Sequence, residues 1–176
     1  MTANQPNDSR RPLKNILSVI AFVLIFGGLA HSQEPRPLFV CETNQNEKYL
    51  AIYGIEQGPD EPWTDIQYRF GTEGQPPEMV FPKDPAKGAK SLFFSHRYLK
   101  NKDYYVSVRF VSGGYTYRVF SRSKDGAGVT ITDAKGKEHI VACIERPYMF
   151  PTYLQRSLAC DMKNPQGKGG CGRDPR

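Results

Sequence analysis

The chain has 176 residues, 39% of them hydrophobic and 24% charged, which is too apolar for a disordered chain, too poor in repeats for a fibrous one and too short for a TIM barrel. Ten Tyr and ten Phe against four Met favour strands over a helical bundle. The formal net charge is +6, but residues 1–30 and 161–176 each contribute +2, so the charge lies largely at the two ends and does not indicate a nucleic-acid partner.

The first thirty residues have the pattern of an export signal. A polar stretch with three basic residues precedes the uncharged run 16–30 (ILSVIAFVLIFGGLA). Fifteen apolar residues fit the apolar region of a cleaved signal peptide better than a membrane span, which needs about 20. Small residues permit cleavage after Ala30 or after Ser32. We predict a signal peptide over residues 1–30, with an uncleaved N-terminal anchor as the alternative; both place the rest of the chain outside the cytoplasm.

Short β-prone runs separated by turn residues follow, and they predict a β domain over residues 31–150. The predicted strands are 38–43, 49–56, 65–71, 78–82, 91–99, 104–112, 115–122, 128–133 and 137–145. Strands at this spacing are typical of an antiparallel β-sandwich or a small eight-stranded barrel, so we predict an all-β fold. Residues 151–176 complete the chain with a short C-terminal helix over 152–162, which follows Pro151, and a basic tail.

Two glycine-containing turns predict hairpins and their registers. The pair Gly113-Gly114 lies between alternating runs and predicts a two-residue turn. The register that it sets pairs Phe110 with Tyr117, Val108 with Val119, and Arg109 with Arg118, the arginines on the face away from the core. The pair Lys135-Gly136 predicts a second hairpin. Its register pairs Ile131 with Ile140 and Val129 with Ala142.

The four cysteines are Cys41, Cys143, Cys160 and Cys171, an even number in a chain with an export signal. Three pairings are possible, and we favour Cys41–Cys143, which ties the first predicted strand to the last, and Cys160–Cys171, which staples the Gly-rich tail. A zinc site is the alternative, but no C-x-x-C pair is present. Disulfides and the leader predict a periplasmic or secreted protein.

No motif predicts catalysis, a metal site or a cofactor. Ser95 and His96 are neighbours on one predicted strand, so their side chains point to opposite faces, and no G-x-S-x-G motif occurs. His139 lies on another strand, and we interpret both histidines as ordinary strand residues. The acidic residues Asp60, Glu61 and Asp65 stand in a Pro-rich loop that we interpret as solvated, with an enzyme site there as a third possibility.

Four arginines form a candidate anion-binding face: Arg69, Arg109, Arg118 and Arg122. The predicted register sets Arg109 directly opposite Arg118, and like charges at such positions repel one another unless an anion or an acidic side chain neutralises them. The alternative is that neighbouring acidic residues neutralise these side chains, or that they extend into water. Under the first interpretation the protein is a binding module for envelope polyanions or anionic glycans.

The tip of the first hairpin is a candidate protein-binding site. Ser112, Gly113, Gly114 and Tyr115 would present a hydroxyl, bare backbone N–H groups and an aromatic ring on a rigid ribbon. Such a loop suits insertion into a cleft whose walls carry carboxylates. The alternative is an ordinary turn that needs glycine only for its backbone conformation.

The same four residues resemble the S-G-x-Y loop of the bacterial periplasmic lysozyme inhibitors. The resemblance implies an exported, disulfide-bonded, all-β protein whose loop plugs the lysozyme cleft, with Ser112 contacting the catalytic carboxylates. Lys135-Gly136 is similar to the tip of a second loop of that family, although Ile131 stands where the family has Tyr. Immunity proteins against secreted cell-wall hydrolases fall within the same resemblance.

We therefore predict a non-enzymatic envelope protein that inhibits, or confers immunity against, a lysozyme-like cell-wall hydrolase. The expected partner-binding residues are Ser112, Gly113, Gly114, Tyr115, Lys135 and Gly136. The expected partner is a protein, and contact with a membrane is expected only through an uncleaved N-terminal anchor.

Overall fold

The computed structural model describes residues 33–45, 47–99, 103–124, 126–163 and 171. The predicted signal segment, both candidate cleavage sites and most of the basic tail lie outside the described residues. Two β-sheets occupy the described ranges, one of five strands and one of six.

The strands are two to ten residues long and are joined by turns and two short helices. They are β1 (Arg36–Glu42), β2 (Lys48–Ile55), β3 (Thr64–Thr72), β4 (Met79–Phe81), β5 (Phe93–Leu99), β6 (Asp103–Ser112), β7 (Tyr115–Arg122), β8 (Gly126–Thr132), β9 (Glu138–Ala142), β10 (Tyr148–Met149) and β11 (Ala159–Cys160). Helix α1 (Gly88–Ser91) follows a 3₁₀ turn (Pro85–Lys87), and α2 (Pro151–Ser157) lies between β10 and β11.

The five-stranded sheet has the order β10-β1-β2-β3-β4, and the six-stranded sheet has the order β11-β5-β6-β7-β8-β9. Neighbouring strands pair antiparallel, except that β11 pairs parallel with β5. The protein is an all-β sandwich, as predicted, because the strands divide between two sheets instead of closing into one barrel.

Period-two alternation explains how one core forms between the sheets. In β2 the side chains of Leu50 and Ile52 are buried in the core, and in β6 those of Val106, Val108 and Phe110 are. Successive side chains of a strand point to opposite faces, so each strand contributes every second residue to the core. Trp63, Leu154 and Leu158 close this core from the loops and from the region of α2.

All nine predicted strands are present, and the structure adds two that the sequence analysis missed. Both β10 and β11 are two residues long, too short for an alternating pattern to reveal them. The predicted helix over 152–162 ends earlier, at Ser157. It ends there because Leu158 is extended and Ala159–Cys160 pairs with β5.

The predicted register of the first hairpin is confirmed: Phe110 pairs with Tyr117, Val108 with Val119, and Arg109 with Arg118. The predicted register of the second hairpin is wrong by one residue. Ile131 lies opposite His139 and Val129 opposite Val141, instead of Ile140 and Ala142. As a result Val141 is buried, whereas Ile140 faces outward with 55% of its surface exposed.

The Asp133 side chain causes this difference. Its Oδ1 accepts hydrogen bonds from the backbone N–H groups of Lys135 and Lys137, at 2.8 and 2.9 Å. The N–H of Gly136 donates to the Asp133 carbonyl at 3.0 Å, and Gly136 has φ +82°. These are the features of a three-residue loop with a glycine bulge, which shifts the register by one relative to a two-residue loop.

Both predicted disulfides are present, so the four cysteines are not available to zinc. Cys41–Cys143 joins β1 to the residue after β9 across a sequence separation of 102, and Cys160–Cys171 joins β11 to the tail across 11. Two disulfides are compatible with an oxidising, extracellular compartment. Within the described ranges no helix is long and apolar enough to cross a membrane.

Candidate binding surfaces

The structure brings both predicted partner-binding loops to one end of the six-stranded sheet. The β6–β7 turn closes at the pair Ser112 and Tyr115, and the next residue, Thr116, pairs with Thr132 of β8. Thr132 in turn pairs with Glu138, so the loop 133–137 begins at the same level of the sheet. We call this surface, made of residues 111–116 and 132–138, the hairpin end.

The Gly113-Gly114 tip requires glycine for its conformation and projects into open space. The two residues have φ of +58° and +81°, the combination of a primed two-residue turn. A Cβ atom added to either glycine would meet no other atom within 4 Å. On the flanks of the tip, Val111 is 53% exposed and Tyr115 is 47% exposed. An exposed aliphatic and an exposed aromatic side chain therefore stand beside a bare backbone.

Stacked aromatic rings stiffen the hairpin immediately below its tip. Phe110 and Tyr117 stack across the strand pair with centroids 4.9 Å apart, and Phe81 stacks on the other face of the cluster at 4.6 Å from Phe110. Burial, and the nearby Tyr115 hydroxyl when ionised, raise the pKa of Tyr117 above its usual value of about 10. The tip thus stands on a rigid base and loses little entropy on binding.

The second loop adds positive charge to the hairpin end. Lys135 and Lys137 are exposed, and the Asp133 carboxylate holds their backbone N–H groups in place. The surface as a whole therefore carries a hydroxyl, exposed aliphatic and aromatic side chains, and two ammonium groups balanced in formal charge by the carboxylates of Asp133 and Glu138. This arrangement can enter a narrow cleft and offer hydrogen-bond donors and positive charge to carboxylates inside it.

The four arginines predicted to share one face do not lie together. Arg69 is on β3, in the five-stranded sheet, whereas the other three are on β6 and β7. Its guanidinium lies over the Tyr53 ring at 5.0 Å, and its Nε donates to Gln67 at 3.0 Å. The sequence alone could not show this division, because it does not reveal which strands share a sheet.

Arg109 is neutralised inside the protein. Its Nε and Nη2 donate to the two carboxylate oxygens of Asp161 at 2.8 and 2.9 Å, and its guanidinium lies over the Phe93 ring at 5.0 Å. Arg109 is buried and Asp161 has no exposed surface. The alternative stated above, neutralisation by an acidic neighbour, therefore applies to this arginine, and the neighbour lies 52 residues away in the sequence.

Arg118 and Arg122 lie on β7 and line an open groove of about 360 Å³ on the outer face of the six-stranded sheet. The Arg122 guanidinium lies 4.9 Å from the centre of the Tyr105 ring and 5.9 Å from that of Phe120. The Nε–H group of Arg118 is buried, and no acceptor among the described residues lies within hydrogen-bonding distance of it. Sequence analysis proposed both arginines but not the groove.

The residues considered for catalysis are dispersed. Asp60 pairs with Arg156 at 3.3 Å with 91% of its side chain exposed, and Asp65 accepts a hydrogen bond from Thr64. Buried His96 contacts the Phe94 ring, whereas His139 is exposed and contacts Gln45. In the part of the chain that the structure describes, no group of three or more His, Cys, Asp or Glu residues could hold a metal ion.

Comparisons with protein-family models, with curated proteins and with solved structures find no match to this chain. The similarity to the periplasmic lysozyme inhibitors therefore stays a prediction from residues 112–115 and from the all-β architecture. Function has to be argued from the geometry of the two surfaces described above, the hairpin end and the arginine groove.

Proposed function

We propose that this protein is an exported inhibitor of, or immunity protein against, a lysozyme-like cell-wall hydrolase, and that the hairpin end enters the catalytic cleft of its target. The observation that carries the proposal is the exposed Gly113-Gly114 turn on a base of stacked rings. A plug must have an accessible tip and keep its shape when free, and the open space around the two glycines and the stacked rings below them support both properties.

In the proposed complex the Ser112 hydroxyl donates a hydrogen bond to a catalytic carboxylate of the hydrolase. Hydrogen bonds to charged groups contribute about 1.5–3 kcal/mol each. The glycines matter because a backbone without Cβ atoms can approach the cleft floor closely. Tyr115 supplies a large apolar surface, and buried aromatic anchors dominate the energetics of many interfaces.

The second loop contributes charge in this proposal. Lys135 and Lys137 stand beside the tip, where they would face the acidic groups that line a glycosidase cleft. Charges at the rim of an interface act mainly on the association rate and on its salt dependence. The Ser112 and Tyr115 contacts, by contrast, would set the dissociation rate.

The test is an inhibition assay against a panel of lysozymes of different families. The double variant Ser112→Ala, Tyr115→Ala should weaken inhibition of any susceptible lysozyme by at least about tenfold, because it removes one charge-assisted hydrogen bond and one aromatic anchor. Tyr148→Ala is the matched control, since Tyr148 is exposed to a similar extent (51% against 47%) but lies on the other sheet.

Two outcomes would contradict the proposal. One is a native protein that inhibits no lysozyme of the panel. The other is a double variant that inhibits as the native protein does while its thermal unfolding midpoint is unchanged.

A further inference from the structure

The arginine groove on the outer face of the six-stranded sheet shares Glu138 with the hairpin end but has a chemistry of its own. We propose that it binds one acidic sugar unit of a glycan, with the Arg118 guanidinium holding the carboxylate or phosphate group of that unit. The residues that carry the argument are Tyr105, Arg118, Phe120, Arg122, Thr130 and Glu138, all of which line the groove.

Arg118 and its direct partner across the strands, Arg109, differ in what satisfies their guanidinium groups. Arg109 is satisfied by a bidentate carboxylate and an aromatic ring. Arg118 lies opposite it in register and has a buried Nε–H group with no acceptor among the described residues. Buried polar groups in native proteins are almost always hydrogen-bonded, so this donor has room for an acceptor that water or a ligand in the groove can supply.

The planar shape of the guanidinium group determines which acceptor fits it best. Nε and a terminal nitrogen of arginine form a planar fork that matches the two oxygens of a carboxylate or phosphate. Arg109 shows this fork in use on the same sheet, with two parallel bonds to Asp161. An oxyanion would satisfy both nitrogens of such a fork in Arg118, and Arg122 also lines the groove.

The other residues that line the groove indicate which class of ligand carries the oxyanion. The half-buried Phe120 ring supplies an apolar surface of the kind against which the C–H face of a sugar ring packs, whereas Tyr105 is buried beneath the Arg122 guanidinium. Glu138 is exposed on the neighbouring edge strand, and both its carboxylate and the Thr130 hydroxyl can accept hydrogen bonds from sugar hydroxyls. The Glu138 carboxylate, beside the two arginines, also repels any polyanion that has no hydroxyl group to donate a hydrogen bond to it.

The size of the groove fits this ligand. Its volume of about 360 Å³ is at the lower end of the range of small-ligand sites, roughly 300–1,000 Å³, and suits one or two sugar units. The groove is open to solvent, so a sugar within a longer chain can enter it laterally.

Three sugars with the same ring test the proposal: N-acetylglucosamine, which is neutral, N-acetylmuramic acid, which adds a carboxylate, and N-acetylglucosamine 6-phosphate, which adds a phosphate. We expect at least one acidic sugar to bind with at least about tenfold higher affinity than the neutral sugar in a titration followed by nitrogen-15 NMR. The Nε–H resonance of Arg118 should shift on binding. The tighter of the two acidic sugars identifies whether the natural ligand carries a carboxylate or a phosphate.

Three variants complete the experiment. Arg118→Gln, which lacks the charge, and Arg118→Lys, which keeps the charge but not the fork, should each lose about tenfold or more of the affinity. Arg146→Gln is the matched control, because Arg146 is an exposed arginine outside the groove. Equal binding of all three sugars, binding of none, or an Arg118→Gln variant that binds as the native protein does would overturn the proposal. Hydrolase inhibition, measured in parallel, depends on other residues.

Discussion

The outer face of the six-stranded sheet has two halves that treat the same residue type in opposite ways. Over β5 and β6 the C-terminal segment supplies Asp161, which buries and neutralises Arg109. Over β7 to β9 the face is open, and Arg118 keeps an unsatisfied donor. The two arginines are cross-strand partners, so they occupy adjacent positions on the same face of the sheet. What distinguishes a structural arginine from an available one here is a distant carboxylate.

Removal of that carboxylate is expected to give the largest effect, because it would convert Arg109 into a second arginine without a partner. Asp161→Ala should lower the free energy of unfolding by about 3–5 kcal/mol, the usual result of leaving one member of a buried ion pair alone. Urea denaturation of the variant and of the native protein measures the difference.

A double variant separates the cost of the unpaired charge from the value of the pair. Arg109→Met with Asp161→Leu replaces both members by apolar side chains of similar shape, and its stability should lie within about 1–2 kcal/mol of the native protein. If Asp161→Ala alone costs less than about 1 kcal/mol, Arg109 is not held by this carboxylate in solution, and the contrast between the two halves fails.

Removal of the second disulfide, Cys160–Cys171, is expected to have an intermediate effect on stability, and the effect should be concentrated over β5 and β6, where the C-terminal segment covers the sheet. Cys160→Ser with Cys171→Ser opens a short loop, and the chain-entropy model predicts a loss of about 2–3 kcal/mol. The backbone N–H of Asp161 donates to the Phe94 carbonyl at 2.7 Å, so hydrogen exchange at this amide reports on the attachment of the segment. Its exchange should accelerate in the variant, whereas amides of β7 and β8 should follow only the global change in stability. If hydrogen exchange accelerates equally at the Asp161 amide, in β7 and in β8, the C-terminal segment does not detach locally.

A substitution in the open half, over β7 to β9, should have the smallest effect on the free energy of unfolding, and it should raise that free energy instead of lowering it. Arg118→Met keeps the length of the side chain but removes the buried donor, so we expect stability to be unchanged or raised by about 1 kcal/mol. Thermal unfolding of the variant measures this. A loss of more than about 1 kcal/mol would show that Arg118 is a structural residue like Arg109.

Much of the sandwich could be predicted because its determinants are local. Alternating apolar residues mark the strands, and the Gly113-Gly114 pair sets the β6–β7 register since two adjacent residues with positive φ admit one turn type. The two disulfide pairs were favoured among three possible pairings, because one ties the first predicted strand to the last and the other staples the Gly-rich tail, and both are present. Local patterns were sufficient wherever one turn or one strand decided the outcome.

The remainder depended on contacts that no local pattern records. The register of the β8–β9 hairpin depends on the Asp133 carboxylate, which selects a three-residue loop. The pair Lys135-Gly136 alone predicts a two-residue loop. The end of α2 was set by pairing of β11 with β5, far away in sequence. For the candidate sites, the residues of the β6–β7 tip could be identified from the sequence. The sequence could not show that Arg69 lies in the other sheet or that Asp161 neutralises Arg109.

The ion pair between Arg109 and Asp161 also has a consequence for the order in which the molecule is made. Asp161 lies 52 positions after Arg109, so a chain that emerges with its N-terminus first presents the cation before the carboxylate that neutralises it. Until then a nascent six-stranded sheet would hold an uncompensated cation near its centre. The ion pair therefore forms only when the segment that holds Asp161 is in place, and a fragment that ends before Asp161 should lose at least the stability, about 3–5 kcal/mol, that we expect Asp161→Ala to lose.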